Sequence, residues 1–269
     1  MAFMFNFRQK IKEGKPLIGT LQALNSPDIT EMLVAAGFDW LWIDLEHSTI
    51  DVEGAQRILQ AAGSNCPCVI RVPCGDQVWT KKLLDIGPAG VIIPGVTSAR
   101  EAAGIVQFCR YPPEGTRSVG LSRAHGYGMW FDEYLANANQ NVAVIMQIEH
   151  IDAVKEIEDI VKIQGIDALL IGPYDLSGSM GKIGRVKDPE VQAQVEKVRQ
   201  VCLDTGMPLG IFTANPEEVK PLIEKGYTVI AAGIDTIFLG QSLKQALEII
   251  ASGGQGAPWH GGPIGPSGH

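Results

Sequence analysis

Short runs rich in Val, Ile and Leu alternate with longer segments in which apolar residues recur every three or four positions, almost to the end of the chain. Continuous apolar runs of strand length suit strands buried on both faces, and the 3.6-residue period suits helices with one apolar side. Their alternation predicts parallel strands joined by crossover helices. Eight strands are predicted, at 16–21, 39–44, 67–72, 90–94, 142–148, 166–171, 209–212 and 229–232. A predicted helix follows each, at 27–36, 52–62, 77–86, 99–109, 153–163, 189–204, 216–225 and 242–251. The punctuation agrees. Ser26, Asp188 and Asn215 stand as caps before Pro27, Pro189 and Pro216, and Gly37, Gly87, Gly206 and Gly226 follow helices as stops.

Eight such units close into a (β/α)8 TIM barrel more naturally than they form an open doubly wound sheet, the rival that shares the same local pattern. A length of 269 residues also suits one barrel, which typically takes ~250. The expected organisation is a single barrel over residues 1–252 and a tail, 253–269, whose Gly/Pro-rich sequence GGQGAPWHGGPIGPSGH is too poor in apolar side chains to pack and is expected to be flexible. His260 and His269 in that tail lack ligand spacing. Residues 111–141, rich in Pro, Gly and Arg, are expected to form one long irregular loop between the fourth and fifth units.

Composition narrows the function. The chain is 45% hydrophobic and 19% charged, with a mean hydropathy of +0.09, and no apolar run approaches the ~20 residues of a membrane helix. A net charge of −8 and a pI near 5.2 argue against a nucleic-acid partner, which needs clustered Lys and Arg. The opening MAFMFNFRQKIKEGK lacks the long apolar region and cleavage site of a signal peptide, so the cytoplasm is the expected compartment. Cys66, Cys68, Cys74, Cys109 and Cys202 are odd in number and poorly spaced for bridging or zinc, and are expected to be reduced core thiols.

In a barrel the active site lies at the C-terminal strand ends, so the polar residues there carry the candidate chemistry. The second strand ends in Asp44-Leu45-Glu46-His47, the third near Arg71, the fifth in Gln147 and Glu149, and the sixth leads to Pro173-Tyr174-Asp175. Glu149 and Asp175 are 26 positions apart (175 − 149), one strand-helix-strand repeat, which sets their carboxylates side by side at the mouth. A hard divalent cation would relieve their repulsion and leave sites for substrate oxygens; alternatively each acid caps a helix. His47 is a proton carrier or a structural residue, and Asp44 orients a neighbour or caps a turn. Arg71, inside an apolar run, must meet a carboxylate or a bound anion. Asp85 reads as an exposed acid at the end of the third helix. Gly172, Gly210 and Gly233 are turn or close-approach residues, and no phosphate-binding loop is present. Lys81, Lys82 and Lys155 fall on helices, so no strand end offers a Schiff-base lysine.

In order along the chain, AAGFDWLWIDLEHS, VIRVP, GVIIPGV, RYPPEGTRSVG, QIEHIDAV and GPYDLSGSMG resemble the HpcH/HpaI aldolase family of class II pyruvate aldolases, over residues 19–247. The resemblance implies a phosphoenolpyruvate/pyruvate-type barrel with an exchanged C-terminal helix, in a homohexamer built as a trimer of dimers. It also implies Glu149 and Asp175 as ligands of Mg²⁺, Mn²⁺ or Co²⁺, His47 as acid–base residue and Arg71 as enolate stabiliser. Asp85 becomes the acid that partners the histidine of a neighbouring subunit, in place of an exposed surface acid. Asp44 and Gln147 match supporting pocket residues, and the backbone from Gly172 through Pro173 and Tyr174 to Asp175 matches the element that receives the substrate carboxylate. Tyr174 departs from the small residue many members carry. The implied partners are a 2-oxo acid such as pyruvate or hydroxypyruvate and an aldehyde, joined or released as a 4-hydroxy-2-oxo acid. The alternatives are a citrate-lyase-type acyl-CoA lyase or thioesterase, which stronger basic patches would favour, and a ligand-binding barrel without turnover.

Overall fold

The computed structural model describes residues 7–253. The elements run α1 (Phe7–Lys12), β1 (Leu17–Gln22), α2 (Pro27–Ala36), β2 (Trp40–Asp44), α3 (Val52–Ala62), β3 (Cys68–Arg71), α4 (Gln77–Asp85), β4 (Gly90–Ile93), α5 (Ala99–Cys109), α6 (Phe131–Asn141) and β5 (Ala143–Ile148). They continue through α7 (Ile151–Lys155), α8 (Ile157–Ile160), β6 (Ala168–Ile171), α9 (Pro173–Ser179), α10 (Pro189–Thr205), β7 (Leu209–Thr213), α11 (Val219–Glu224), β8 (Val229–Ile234) and α12 (Asp235–Ala251). All neighbouring strands pair in parallel and β1 pairs with β8, so the sheet closes as an eight-stranded barrel and the open doubly wound alternative is excluded.

Strand periodicity divides the core in two. Leu41, Ile43, Ile70, Val91, Ile93, Val144 and Met146 point outward and pack under the helices. Their alternates Trp40, Trp42, Val69, Ile92, Ala143, Ile145 and Leu170 fill the barrel interior together with Phe7 and Ile11 of α1. Because both faces are buried, the strands read as unbroken apolar runs whose ends the sequence does not mark. The side chain of Arg8 on α1 donates from Nε to Asp167 Oδ1 at 2.6 Å and from Nη1 to the Asn139 carbonyl at 2.8 Å. Since Asp167 precedes β6 and Asn139 precedes β5, α1 is fastened at the N-terminal end of the barrel. The opposite end is left for polar groups.

Several local expectations change. Residues 111–141 are not wholly irregular: a 3-10 turn spans Arg123–Gly128 and α6 follows. The sequence hides α6 because its cap position, Trp130, makes no side-chain cap bond. The fifth predicted helix breaks at Glu156, which leaves helical geometry at ψ 14° and whose carboxylate accepts the backbone N–H of Ala99 at 2.8 Å. The seventh becomes a 3-10 turn, Pro216–Glu218, followed by α11. The last begins at Asp235, seven positions before 242, because the apolar stretch from β8 runs on into it without a cap. Cys66, Cys68, Cys109 and Cys202 are buried free thiols, whereas Cys74 is exposed beside Asp76, with Sγ 3.2 Å from Oδ2, and is not a core residue. Ser26, Asp188 and Asn215 cap as predicted. His260, His269 and the tail after Gly253 lie outside the described residues. Among those residues, no helix is long and apolar enough to cross a membrane.

Candidate active site

The strand register builds the site. Asp44 and Arg71 are in-register partners at the ends of β2 and β3, and both follow the inward-facing series of their strands. Arg71 donates from Nε to Asp44 Oδ1 at 2.9 Å and from Nη2 to Oδ2 at 2.7 Å, a bidentate pair with both residues buried. The guanidinium also lies 5.0 Å from the centroid of the Trp42 ring beneath it. The structural ion pair foreseen for Arg71 is therefore present, and its remaining nitrogen, Nη1, faces Glu46 Oε2 at 3.2 Å. Asp44 Oδ1 further accepts the backbone N–H groups of Glu46 and His47, at 3.0 and 3.3 Å. Both roles considered for Asp44, orienting a neighbour and capping a turn, are served by one carboxylate.

Two residues beyond the inward-facing Gln147, Glu149 directly follows β5. Its Oε1 accepts the backbone N–H of Gly95 at 2.7 Å, and its Oε2 accepts a very close contact from Gln147 Nε2. Gly95 adopts φ +68° two residues past β4, in the turn that presents its N–H to the carboxylate. At Gly172 a Cβ atom would fall 2.9 Å from Glu149 Cβ and Oε2 and 3.1 Å from Gln147 Nε2, so only glycine lets the chain from β6 pass this close. Burial drives the Glu149 carboxyl up to about 7; the Gly95 hydrogen bond and Arg71 pull it down, while Glu46 and Asp175 push it further up. Neither Glu149 nor Asp175 caps a helix. His150 caps α7 through its imidazole, which accepts Asp152 N–H, and the cap position of α9 is Gly172, which has no side chain to make a cap bond.

Asp175 is exposed in the first turn of α9, next to Pro173 and an exposed Tyr174. It and Asp44 both act electrostatically on Glu46, whose acid is raised mainly by burial and lowered by Arg71 and His47. Four carboxylates, those of Asp44, Glu46, Glu149 and Asp175, thus share one mouth with the single guanidinium of Arg71 and the imidazole of His47, whose Nε2 is 3.6 Å from Glu46 Oε2. Among the described residues no group of three or more His, Cys, Asp and Glu converges as a ready-made metal cage. Glu149 and Asp175 are a two-carboxylate set of hard oxygen donors at a mouth short of positive charge, which fits a cation that keeps waters and substrate oxygens as further ligands.

Asp85 does not join them. It ends α4 at the N-terminal end of the barrel, where its Oδ1 accepts Arg117 Nη2 at 2.8 Å, and the Arg117 guanidinium lies 4.4 Å from the centroid of the Tyr111 ring. Two site residues were given no role from the sequence alone. Glu46 was visible as the second acid of DLEH, two positions past Asp44, and Gly95 as the glycine closing GVIIPG.

An acidic mouth around an anchored arginine, at the C-terminal ends of a closed parallel barrel, defines a site of the kind barrel enzymes use. The family described as HpcH/HpaI aldolase/citrate lyase matches residues 18–241, and this chain belongs to it. The "4-hydroxy-2-oxo-heptane-1,7-dioate aldolase" of Shigella boydii serotype 18 is 39% identical over 241 residues, covering 88% of this chain and 91% of the relative. The "Hydroxypyruvate/pyruvate aldolase" of Pseudomonas aeruginosa is 36% identical over 242 residues, covering 89% and 90%. A crystal structure of an HpcH/HpaI aldolase/citrate lyase family protein from Burkholderia cenocepacia superposes with a TM-score of 0.88 at 32% identity, covering 92% of this chain and 100% of that one.

Proposed function

We propose that this chain is a metal-dependent aldolase, a carbon–carbon lyase that cleaves or forms 4-hydroxy-2-oxo acids from pyruvate, or a related 2-oxo acid such as hydroxypyruvate, and an aldehyde. The observation that carries the reading is the meeting of Glu149 and Asp175 at one mouth with the anchored Arg71, and the names of the aldolase relatives support it. Glu149 and Asp175 would hold Mg²⁺, Mn²⁺ or Co²⁺, and a cation there supplies Lewis-acid polarisation of the keto oxygen. Arg71 stabilises the negative charge that develops on that oxygen, because its guanidinium is fixed in advance by Asp44 and needs no reorganisation. His47 takes the proton from the 4-hydroxyl in cleavage and returns it in the reverse direction. Gln147 keeps Glu149 in place, and the backbone from Gly172 through Pro173 and Tyr174 to Asp175 receives the substrate carboxylate at the start of α9.

The assembly belongs to the same reading. On α12 only Asp235 is buried, while Leu239, Leu243, Leu247 and Ile250 form an exposed stripe at helical spacing. That stripe suits exchange of α12 with a second copy, within a hexamer built of three dimers in the cytoplasm, where a neighbour's Asp85 would approach His47. The deciding experiment strips metal with EDTA, restores Mg²⁺, Mn²⁺ or Co²⁺ separately, and follows deuterium entering the pyruvate methyl group. Metal-dependent exchange is expected. Exchange without metal, or none with any of the three, overturns the proposal.

A further inference from the structure

We propose that Glu46 is a positioning residue of this site: its carboxylate holds the exposed His47 imidazole beside the buried Arg71 guanidinium. The inference rests on the reading of His47 as proton carrier and Arg71 as oxyanion partner. The loop after β2 is fixed without help from either side chain. Asp44 Oδ1 accepts the N–H groups of Glu46 and His47, and the Ser48 hydroxyl donates to the Asp44 carbonyl while accepting Ile50 N–H at 3.0 Å. What this network leaves undefined is the direction of the His47 ring, whose side chain is 63% exposed. An imidazole so placed samples several rotamers unless something opposes that freedom.

Glu46 opposes it. Its Oε2 lies 3.6 Å from His47 Nε2, a contact that becomes an ion pair once the ring carries the proton it takes up, and among the described residues no other acid lies within ion-pair distance of that ring. The same oxygen is buried and 3.2 Å from Arg71 Nη1, with no donor aligned on it as a hydrogen bond. Arg71 does not depend on Glu46, since two bonds to Asp44 already hold it. The dependence therefore runs one way. Asp44 fixes Arg71, Arg71 fixes Glu46, and Glu46 fixes His47. Asp85, the acid that the family resemblance pairs with the histidine, is bound by Arg117 at the far end of its own barrel, so it would reach a His47 only of another copy, beside the Glu46 that chain already supplies. The acid that each chain supplies to its own His47 is Glu46.

Removing the Glu46 charge should free the ring while leaving the fold intact, because the Asp44–Arg71 pair persists. The test uses the full chain carrying ¹³C-labelled histidine, with His47→Gln identifying the signal. In the wild type, ring relaxation should report an order parameter near the ~0.85 of rigid structure, falling below ~0.6 in Glu46→Gln. In cleavage of a 4-hydroxy-2-oxo acid, Glu46→Gln should lower kcat about 10- to 100-fold with KM nearly unchanged, as for a misplaced catalytic group. Glu46→Asp, one methylene shorter, should fall between on both measures and serves if the glutamine variant does not fold. A ring equally ordered in wild type and variant overturns the inference, as does a loss of kcat that only follows the loss of folded protein. A wild type that turns over nothing counts against the aldolase reading, while ring mobility still decides the part played by Glu46.

Discussion

If Glu149 holds the proposed cation, a carboxyl poised near neutrality makes that binding a proton-coupled event. Burial raises Glu149 from an ordinary 4.5 to about 7, and on the proposed metal-dependent reading only its ionised form would serve as a ligand. The ionised fraction is about one-tenth at pH 6 and about nine-tenths at pH 8, so the apparent affinity for Mg²⁺ or Mn²⁺ should fall ~10-fold between them and ~100-fold by pH 5. At pH 7 each cation bound should release about half a proton. Stability follows with a defined sign. The folded protein holds the Glu149 proton that the unfolded chain has already lost, so metal-free stability declines as pH rises from 4.5 to about 7. At ~1.4 kcal/mol per pH unit, this costs up to ~3 kcal/mol at pH 8, and cation binding should recover it. Titration calorimetry on stripped protein, in two buffers of different ionisation enthalpy, measures affinity and proton release together; thermal melts with EDTA or Mn²⁺ at pH 6 and 8 measure the stability arm. Equal affinity at pH 6 and 8 with no buffer-dependent heat would refute the reasoning. In Glu149→Gln, which keeps an acceptor for Gly95 N–H, both the binding and its pH dependence should be lost.

Arg71→Ala should destabilise the fold by about 3–5 kcal/mol in urea melts, because it leaves the Asp44 carboxylate buried without its partner; an unchanged midpoint would show that solvent reaches Asp44. Gly172→Ala should fold but bind cation at least ~10-fold more weakly by the same calorimetry, since the added methyl meets Glu149 at 2.9 Å. A substitution there that leaves affinity intact would mean Glu149 can retreat without cost. Leu243→Glu, in the middle of the α12 stripe, should reduce the assembled mass in light scattering without unfolding the barrel, and an unaltered mass would remove α12 from the interface.

Strand and helix count were legible because each unit carries its own signal: an apolar run, a periodic segment and a cap such as Ser26 or Asp188. Legibility failed where structure depends on partners distant in sequence. The start of α6 has no side-chain cap to announce it, and the break at Glu156 accompanies a contact with Ala99, 57 positions away. At the site, Asp44, Arg71, Gln147 and Glu149 could be picked out because the inward alternation of a barrel strand must end in whatever lines the mouth. The pairing of Arg71 with Asp44 depends on strand register, which no single strand contains. Glu46, though part of the strand-end cluster, was given no role because an acid beside a histidine in a loop looks like any solvated pair until the guanidinium of the next strand is seen against it. Gly95 and Gly172 gain their meaning only from the Glu149 side chain that one N–H holds and the other lets pass.

Tyr174 stands apart from this tightly tied corner. Its side chain is exposed on a seven-residue helix whose register is kept by the buried Ser177 hydroxyl, which donates to the Tyr174 carbonyl at 2.6 Å and accepts Gly184 N–H at 3.0 Å. The ring can therefore be exchanged for a smaller or a charged one while its backbone stays put. On the proposed aldolase reading, variation at this rim would let the barrel take up aldehydes of different bulk without moving Arg71, Asp44 or Glu149.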